Sequence, residues 1–466
     1  MSVQKRRESV LALTLVATLG GLLFGYDTAV ISGAVGAIDA NFIDPLTLTE
    51  TARNSLSGFT IASALFGCIG GGAIGGLCGN RWGRRGGLRI AALLFLVSAI
   101  GSALPELGLG PIGGMGPAAL PAFIFYRVLC GVGVGMASML SPLYIAEIAP
   151  ARNRGTLVSM NQLAIVVGIV ASYIVSWKLA FLGDVSWRWM LGVAAIPSLA
   201  FFFGLLVIPE SPRWLIGHGQ REKGEKVLTR IFGAQEAASQ VRLVEEAASE
   251  EEGSWHEVFA KPMRKRLFVA LTLAVLCQVT GINTVLYYGS IIISEHFPGQ
   301  GADTAFLANV VVGITNLVFT LIALFFLDRW GRRTMLLTAT GGMGLSLTVL
   351  VGALHLPGVS PMVMLACVIC YVASFAFGMG PIVWIVISEI FPNKIRGRAA
   401  SIATSTLWTS TLIVTFTFLS LVKKFGLAGT FAIYAFLCAV CFVFTWKYIP
   451  ETRGKTLEQI QQELGG

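Results

Sequence analysis

Apolar runs of eighteen or more residues recur along the whole chain, each separated from the next by a polar loop. Wound as an α-helix, a run of about twenty residues spans roughly 30 Å, the thickness of a bilayer's hydrocarbon core. The runs fall near 9–31, 55–78, 88–105, 121–142, 157–177, 189–208, 267–290, 304–327, 335–354, 361–387, 399–421 and 427–448. Six precede the one long polar stretch, 209–266, and six follow it. Within that stretch, RWLIGHGQREKGEKVLTRIF has apolar positions at helical spacing, which predicts short amphipathic helices at the membrane surface. The pattern therefore predicts an all-α integral membrane protein with twelve transmembrane helices. Two six-helix bundles, 1–208 and 267–448, flank a cytoplasmic helical linker domain, 209–266, and a tail, 449–466, follows.

The two sets of six also repeat in sequence. NRWGRR at 80–85 recurs as DRWGRR at 328–333, EIAPARNRG at 147–155 as EIFPNKIRG at 389–397, and PESPR at 209–213 as PETRG at 450–454. Ordered matches at nearly one offset are the mark of an internal duplication. Two similar bundles are the arrangement in which a carrier works by alternating access, one bundle rocking against the other. No TVGYG-like filter suggests a channel.

Composition agrees: 55% of residues are hydrophobic and 13% charged, with a mean hydropathy of +0.75. The net charge of +9 changes the picture only through its placement. With both termini cytoplasmic, 28 of the 34 Lys and Arg residues fall on the cytoplasmic side and 5 on the other, leaving Arg127 at membrane depth. That is the positive-inside bias of a multi-pass membrane protein, not a nucleic-acid surface. The 8 cysteines lie mostly in apolar runs, and Cys367/Cys370 and Cys438/Cys441 read as small apolar pairs one helical turn apart. The 4 histidines, assigned to loops, have no ligand spacing, so no metal site is expected. Nor is there a Walker A segment, a dinucleotide fingerprint or a nucleophile–base cluster. No cofactor and no enzymatic activity are expected.

Two charges stand alone at depth: Asp27 in the first span and Arg127 in the fourth. A charge there costs a few kcal/mol or more unless paired or hydrated. Pairing the two solves both problems. Asp27 can be neutralised by a proton and Arg127 cannot lose its own. The pair reads as a proton-sensitive latch, or else as a permanent salt bridge locking the first bundle.

Neutral polar groups form a second set. Asn161 and Gln162 lie in the fifth span, Gln278, Asn283, Tyr287 and Tyr288 in the seventh, Asn316 in the eighth, Trp384 in the tenth and Trp408 in the eleventh. The spacing of Gln278 and Asn283 predicts a break in the seventh helix near Gly281. Amides offer both donor and acceptor to sugar hydroxyls, and aromatic faces cover the C–H side of a sugar ring. The set suits a neutral sugar or polyol. Any one of these amides is equally explained by a helix–helix hydrogen bond. In the loops, bridges from Glu147 to Arg81, Arg84, Arg85 or Arg154, and from Glu389 to Arg329, Arg332, Arg333 or Arg396, are expected to close a cytoplasmic gate. GCIGGGAIGG at 67–76 and GVGVG at 131–135 predict close helix packing.

These motifs, together with PESPRWL at 209–215, GINTVLYY at 281–288, GPIVW at 380–384 and PETRGKTLE at 450–458, resemble the sugar porter family of the major facilitator superfamily over nearly the whole chain. The resemblance implies proton-coupled import of a monosaccharide, D-xylose or a hexose such as D-glucose. A facilitative uniporter is the alternative. It implies sugar contacts at Gln162, Gln278, Asn283, Asn316 and Trp384, with Phe24 and Tyr288 lining the pocket, and proton coupling at Asp27 with Arg127. The family resemblance also implies a functional monomer in a cell membrane, a bacterial inner membrane. Three positions depart from the family's xylose–proton symporters, which carry glutamines where this chain has Ile169, Cys277 and Leu407. An acid of their sixth span is replaced by Ala194, and Asn80 replaces the aspartate common in the superfamily.

Overall fold

The computed structural model describes residues 3–150, 153–249, 254–296, 302–356, 360–391, 393–449 and 451. The first bundle comprises α1 (Val3–Ile38), α2 (Glu50–Arg81), α3 (Gly83–Ala103), α4 (Leu120–Ile148), α5 (Arg154–Leu179), α6 (Ser186–Gly192) and α7 (Ala195–Val207). Four short helices follow: α8 (Pro212–Gly217), α9 (Arg221–Phe232), α10 (Ala234–Ser249) and α11 (Trp255–Val258). The second bundle comprises α12 (Lys261–Val279), α13 (Ile282–His296), α14 (Ala302–Trp330), α15 (Arg332–His355), α16 (Pro361–Phe377), α17 (Met379–Glu389) and α18 (Asn393–Tyr448).

Ten described helical stretches are long and apolar enough to span a membrane. Two of them, Arg154–Val207 with 54 residues and Arg398–Tyr448 with 51, are too long for one crossing. A straight helix of that length would run to about 80 Å against a hydrocarbon core of roughly 30 Å. Each turns back at a glycine with positive φ, Gly183 in the first and Gly426 in the second. Eight single crossings and two double ones make twelve among the described residues. Large apolar side chains line the outside, such as Val207 at 81% exposure and Leu77 at 73%. Only lipid tolerates so much of that surface.

The helices outrun the apolar runs at most ends, because the hydropathy pattern marks the hydrocarbon core and not the helix. The glycine runs bring α2 and α4 close together. A side chain on Gly67 would overlap the Val128 carbonyl, and one on Gly131 the Ala64 carbonyl. Only hydrogen at these positions allows such backbone approach. The short helices α8–α10 pack their apolar faces together, with Leu215, Leu228, Ile231 and Val241 buried. Three histidines expected in loops sit in helices instead, His256 in α11, His296 at the end of α13 and His355 in the last turn of α15.

The halves meet on the face opposite the RWGRR loops. Tyr173 of α5 donates to the Leu286 carbonyl of α13 at 3.2 Å, and Asn309 of α14 to the Ser32 hydroxyl of α1 at 3.4 Å. Lys423 reaches Glu50 at 3.1 Å and Thr51 at 3.2 Å. An apolar seam of Ala29, Ile169, Tyr173, Leu286 and Val310 lies in the same region. The far face is therefore closed.

Candidate functional site

Asp27 on α1 and Arg127 on α4 form a two-point ion pair. Nη2 of Arg127 donates to Oδ2 of Asp27 at 3.1 Å, and Nη1 to Oδ1. The side chain of Arg127 is 1% exposed and that of Asp27 13%. The base is thus sunk in the first bundle, and its acid partner retains an accessible edge. A parallel, bidentate guanidinium–carboxylate contact is the strongest form of such a pair.

Tyr287 of α13 lies buried against this site, its hydroxyl at Thr28 of α1. The chain breaks just before α13. Gly281 has φ +95°, and a side chain there would run into the Tyr434 ring. The break has its own hydrogen bonds: Tyr371 of α16 donates to the Thr280 carbonyl at 2.9 Å, and Thr284 to the Gly281 carbonyl at 2.7 Å. Helix ends at depth need such partners because no water is at hand. The break folds the two amides together, Asn283 donating to Oε1 of Gln278 at 2.5 Å. Gln278 also faces the Cys277 sulfur at 3.5 Å.

Across the central space, Phe24 of α1 meets Trp408 of α18 edge to face at 5.3 Å. Trp408 is buried, and its Nε1–H has no acceptor among the described groups. Gln162 of α5 points at Gly380 beside the half-buried Trp384 of α17. Phe24, Gln162, Gln278, Asn283, Trp384 and Trp408 thus lie on helices that face one another across the halves.

Other expected members are turned elsewhere. Tyr288 is fully buried, donates to the Thr415 carbonyl at 3.0 Å and packs on Phe418. In this conformation it has no free face for a ligand. Asn316 is buried on α14 and accepts from Thr320 at 3.3 Å. Asn161 packs against Gly21 of α1 inside the first bundle. Of the three substituted positions, Ile169 belongs to the far-side seam, Cys277 adjoins Gln278, and Leu407 is buried next to Trp408.

The loop network narrows the expected bridges. Of the four arginines considered for Glu147, Arg84 alone reaches it, with Nε at 3.0 Å and Nη2 at 3.0 Å. Arg85 turns to the Ile208 carbonyl, and its backbone N–H donates to Glu210 at 3.0 Å. Arg81 lies over Trp82, and Arg154 is exposed. Glu147 also accepts from the Ser211 hydroxyl. Arg84, Glu147 and Ser211 all precede the second bundle, so this bridge ties α3, α4 and α8 and does not itself cross between the halves. In the second half, Glu451 accepts from the backbone N–H groups of Arg332 at 2.9 Å and Arg333 at 3.2 Å. Arg329 lies over Phe325. The side chains of Glu389 and Arg396 lie outside the described residues.

The sequence reading missed the work of Glu210 and Glu451. Each caps the start of a helix, α3 or α15, immediately after a glycine with positive φ, Gly83 or Gly331. An acid at a helix N-terminus meets unpaired N–H groups and the positive end of the dipole. The PESPR/PETRG repeat carried the signal. Because Glu147 holds a half-buried arginine, Glu147→Ala should destabilise the fold by about 2–3 kcal/mol. Thermal unfolding in detergent should register this as a fall of several degrees. An unchanged melting temperature would mean that the bridge contributes nothing.

A second missed pair lies in the loop after α3. Buried Glu106 accepts from both guanidinium nitrogens of Arg188, at 2.7 and 2.9 Å. The hydrogen bonds from Arg188 hold the Glu106 carboxyl below its usual 4.5. A depressed folded-state pKa stabilises the fold above the unfolded value, and that stability is lost as the pH falls through the folded one. Melting temperature should therefore drop on acidification below about pH 4.5. Glu106→Gln should flatten that limb, and a limb of unchanged steepness would assign it to other groups.

Twelve crossings in two similar halves, with a buried ion pair and facing polar groups at depth, define a secondary transporter and not an enzyme. The sequence profile described as "Sugar (and other) transporter" matches residues 13–464. The D-xylose-proton symporter of Escherichia coli K12 is 42% identical over 99% of this chain and 97% of its own length. The arabinose-proton symporter of Bacillus subtilis is 37% identical over 97% and 94%. The glucose facilitated diffusion protein of Zymomonas mobilis is 35% identical over 99% of each chain. Among solved structures, the proton:xylose symporter XylE bound to 6-bromo-6-deoxy-D-glucose superposes with a TM-score of 0.87 at 40% identity, covering 98% of this chain and all of that one. The partially occluded inward-open form of XylE from E. coli gives 0.86. The chain belongs to the sugar transporter family of the major facilitator superfamily.

Proposed function

We propose that this protein imports a monosaccharide, D-xylose or a hexose such as D-glucose, together with a proton. The observation that carries this reading is the buried Asp27–Arg127 pair: one titratable acid, partly accessible, holding a base that cannot be neutralised. Ionised Asp27 holds Arg127, and protonated Asp27 releases it, so proton binding changes the internal contacts of the first bundle. Gln162, Gln278, Asn283, Trp384 and Trp408 would hold the sugar, with Phe24 and Tyr287 at its edge, and Tyr288 and Asn316 positioned to join it only after a change of conformation. The bundles 1–208 and 267–448 would rock about the cytoplasmic segment 209–266, with both termini cytoplasmic and the monomer as the working unit. The placement of basic residues supports that orientation. Arg84, Glu147, Arg85 and Glu210 would brace the cytoplasmic ends of the first bundle, and Arg332, Arg333 and Glu451 those of the second.

Purified protein in proteoliposomes should accumulate labelled xylose or glucose when an inward proton gradient is imposed. A protonophore should reduce this to equilibration. The Zymomonas relative is named for facilitated diffusion, and equilibration that the protonophore leaves unchanged would assign this chain to that mode instead.

A further inference from the structure

A guanidinium has five N–H donors in a fixed plane. In Arg127 the Nη groups face Asp27, but Nε–H finds no acceptor among the described residues, although the side chain is 1% exposed. Beside the pair lies a cavity walled on its polar side by Asp27, Arg127, Ser98 and Ser102, and elsewhere by apolar groups that include Ala194. Ser102 is buried, and its hydroxyl is likewise without a partner. The cavity has room for about one water molecule, and a buried water needs two to four polar partners. Nε of Arg127, the Ser102 hydroxyl and the Asp27 carboxylate supply that number.

We propose that this cavity is a water site, and that its water with the Ser102 hydroxyl receives Arg127 when Asp27 is neutralised. The second part rests on the coupling reading above. A neutral Asp27 deprives the guanidinium of its anion in a place bulk solvent does not reach. A buried cation left with one neutral carbonyl oxygen in place of a carboxylate is poorly compensated, so release needs further oxygens close by. The cavity supplies one inside the same bundle, on the wall opened by the small side chain of Ala194 at the start of α7. Water there makes the latch reversible: the acceptor waits beside the base and does not have to be brought by a moving helix.

Ala194→Leu fills the space, and Ser102→Ala removes the hydroxyl without adding bulk. Gradient-driven sugar uptake should fall at least tenfold in the first and about threefold in the second, with sugar affinity kept within twofold. Radiolytic hydroxyl labelling, which marks side chains beside bound water, should modify Phe95 and Cys130 in the wild type and much less in Ala194→Leu. Wild-type uptake rates in both variants would overturn the role in release, and an unlabelled wild-type cavity would overturn the water site. If Ala194→Leu fails to fold, Ser102→Ala and the wild-type labelling decide the matter. If the wild type shows no proton drive, the coupling reading fails first, and the labelling still tests the water site alone.

Discussion

Asp27→Asn protein in proteoliposomes should exchange labelled sugar across the membrane yet fail to concentrate it. The substitution keeps the shape of the side chain and one acceptor oxygen for Arg127, but it removes the charge that a proton would cancel. An elementary charge gains roughly 2.3 kcal/mol at 100 mV. At about 1.4 kcal/mol per tenfold ratio, that drives an accumulation on the order of 50-fold. The variant should lose all of it and settle near a ratio of one. Counterflow needs only the sugar site and the rocking of the halves, both of which lie apart from the titrating oxygen. Loss of counterflow as well, in protein that still folds and binds sugar, would make the pair a structural lock.

Much of this site was legible before any coordinates, and for a physical reason. A lone acid and a lone base on two spans of one bundle have few ways to avoid the cost of burial, and pairing is the simplest. The break at Gly281 was likewise visible in the offset of Gln278 from Asn283. Adjacent residues were not separable. Neighbours on a helix point about 100° apart, and sequence does not say which of them faces the partner. Tyr287 faces α1 while Tyr288 faces α18. The Arg84 side chain reaches Glu147 while that of Arg85 reaches the Ile208 carbonyl. The interruptions at Val193–Ala194 and Gly378 fall inside apolar runs. No polar residue marks them, so the hydropathy pattern passes over both. Ile169, where the family's xylose–proton symporters carry glutamine, contributes to the seam that closes the far face. An apolar residue suits that location, and the position alone does not reveal it.

Gly281→Val should cost more than any single polar change in the site. The native φ of +95° lies where a branched side chain is strained, at roughly 1–2 kcal/mol. The new carbons would also meet the Tyr434 ring, and overpacking a filled interior adds about 1–3 kcal/mol. The chain can relieve both only by straightening the join between α12 and α13. That would pull the Thr280 carbonyl from the Tyr371 hydroxyl and part Asn283 from Gln278. Sugar affinity should therefore fall by more than tenfold, along with a drop of several degrees in melting temperature. Gly281→Ala should show the same pattern, less the clash of the branched carbons. If calorimetry of Gly281→Val instead finds wild-type sugar affinity in folded protein, the broken helix is not what brings the two amides into the site.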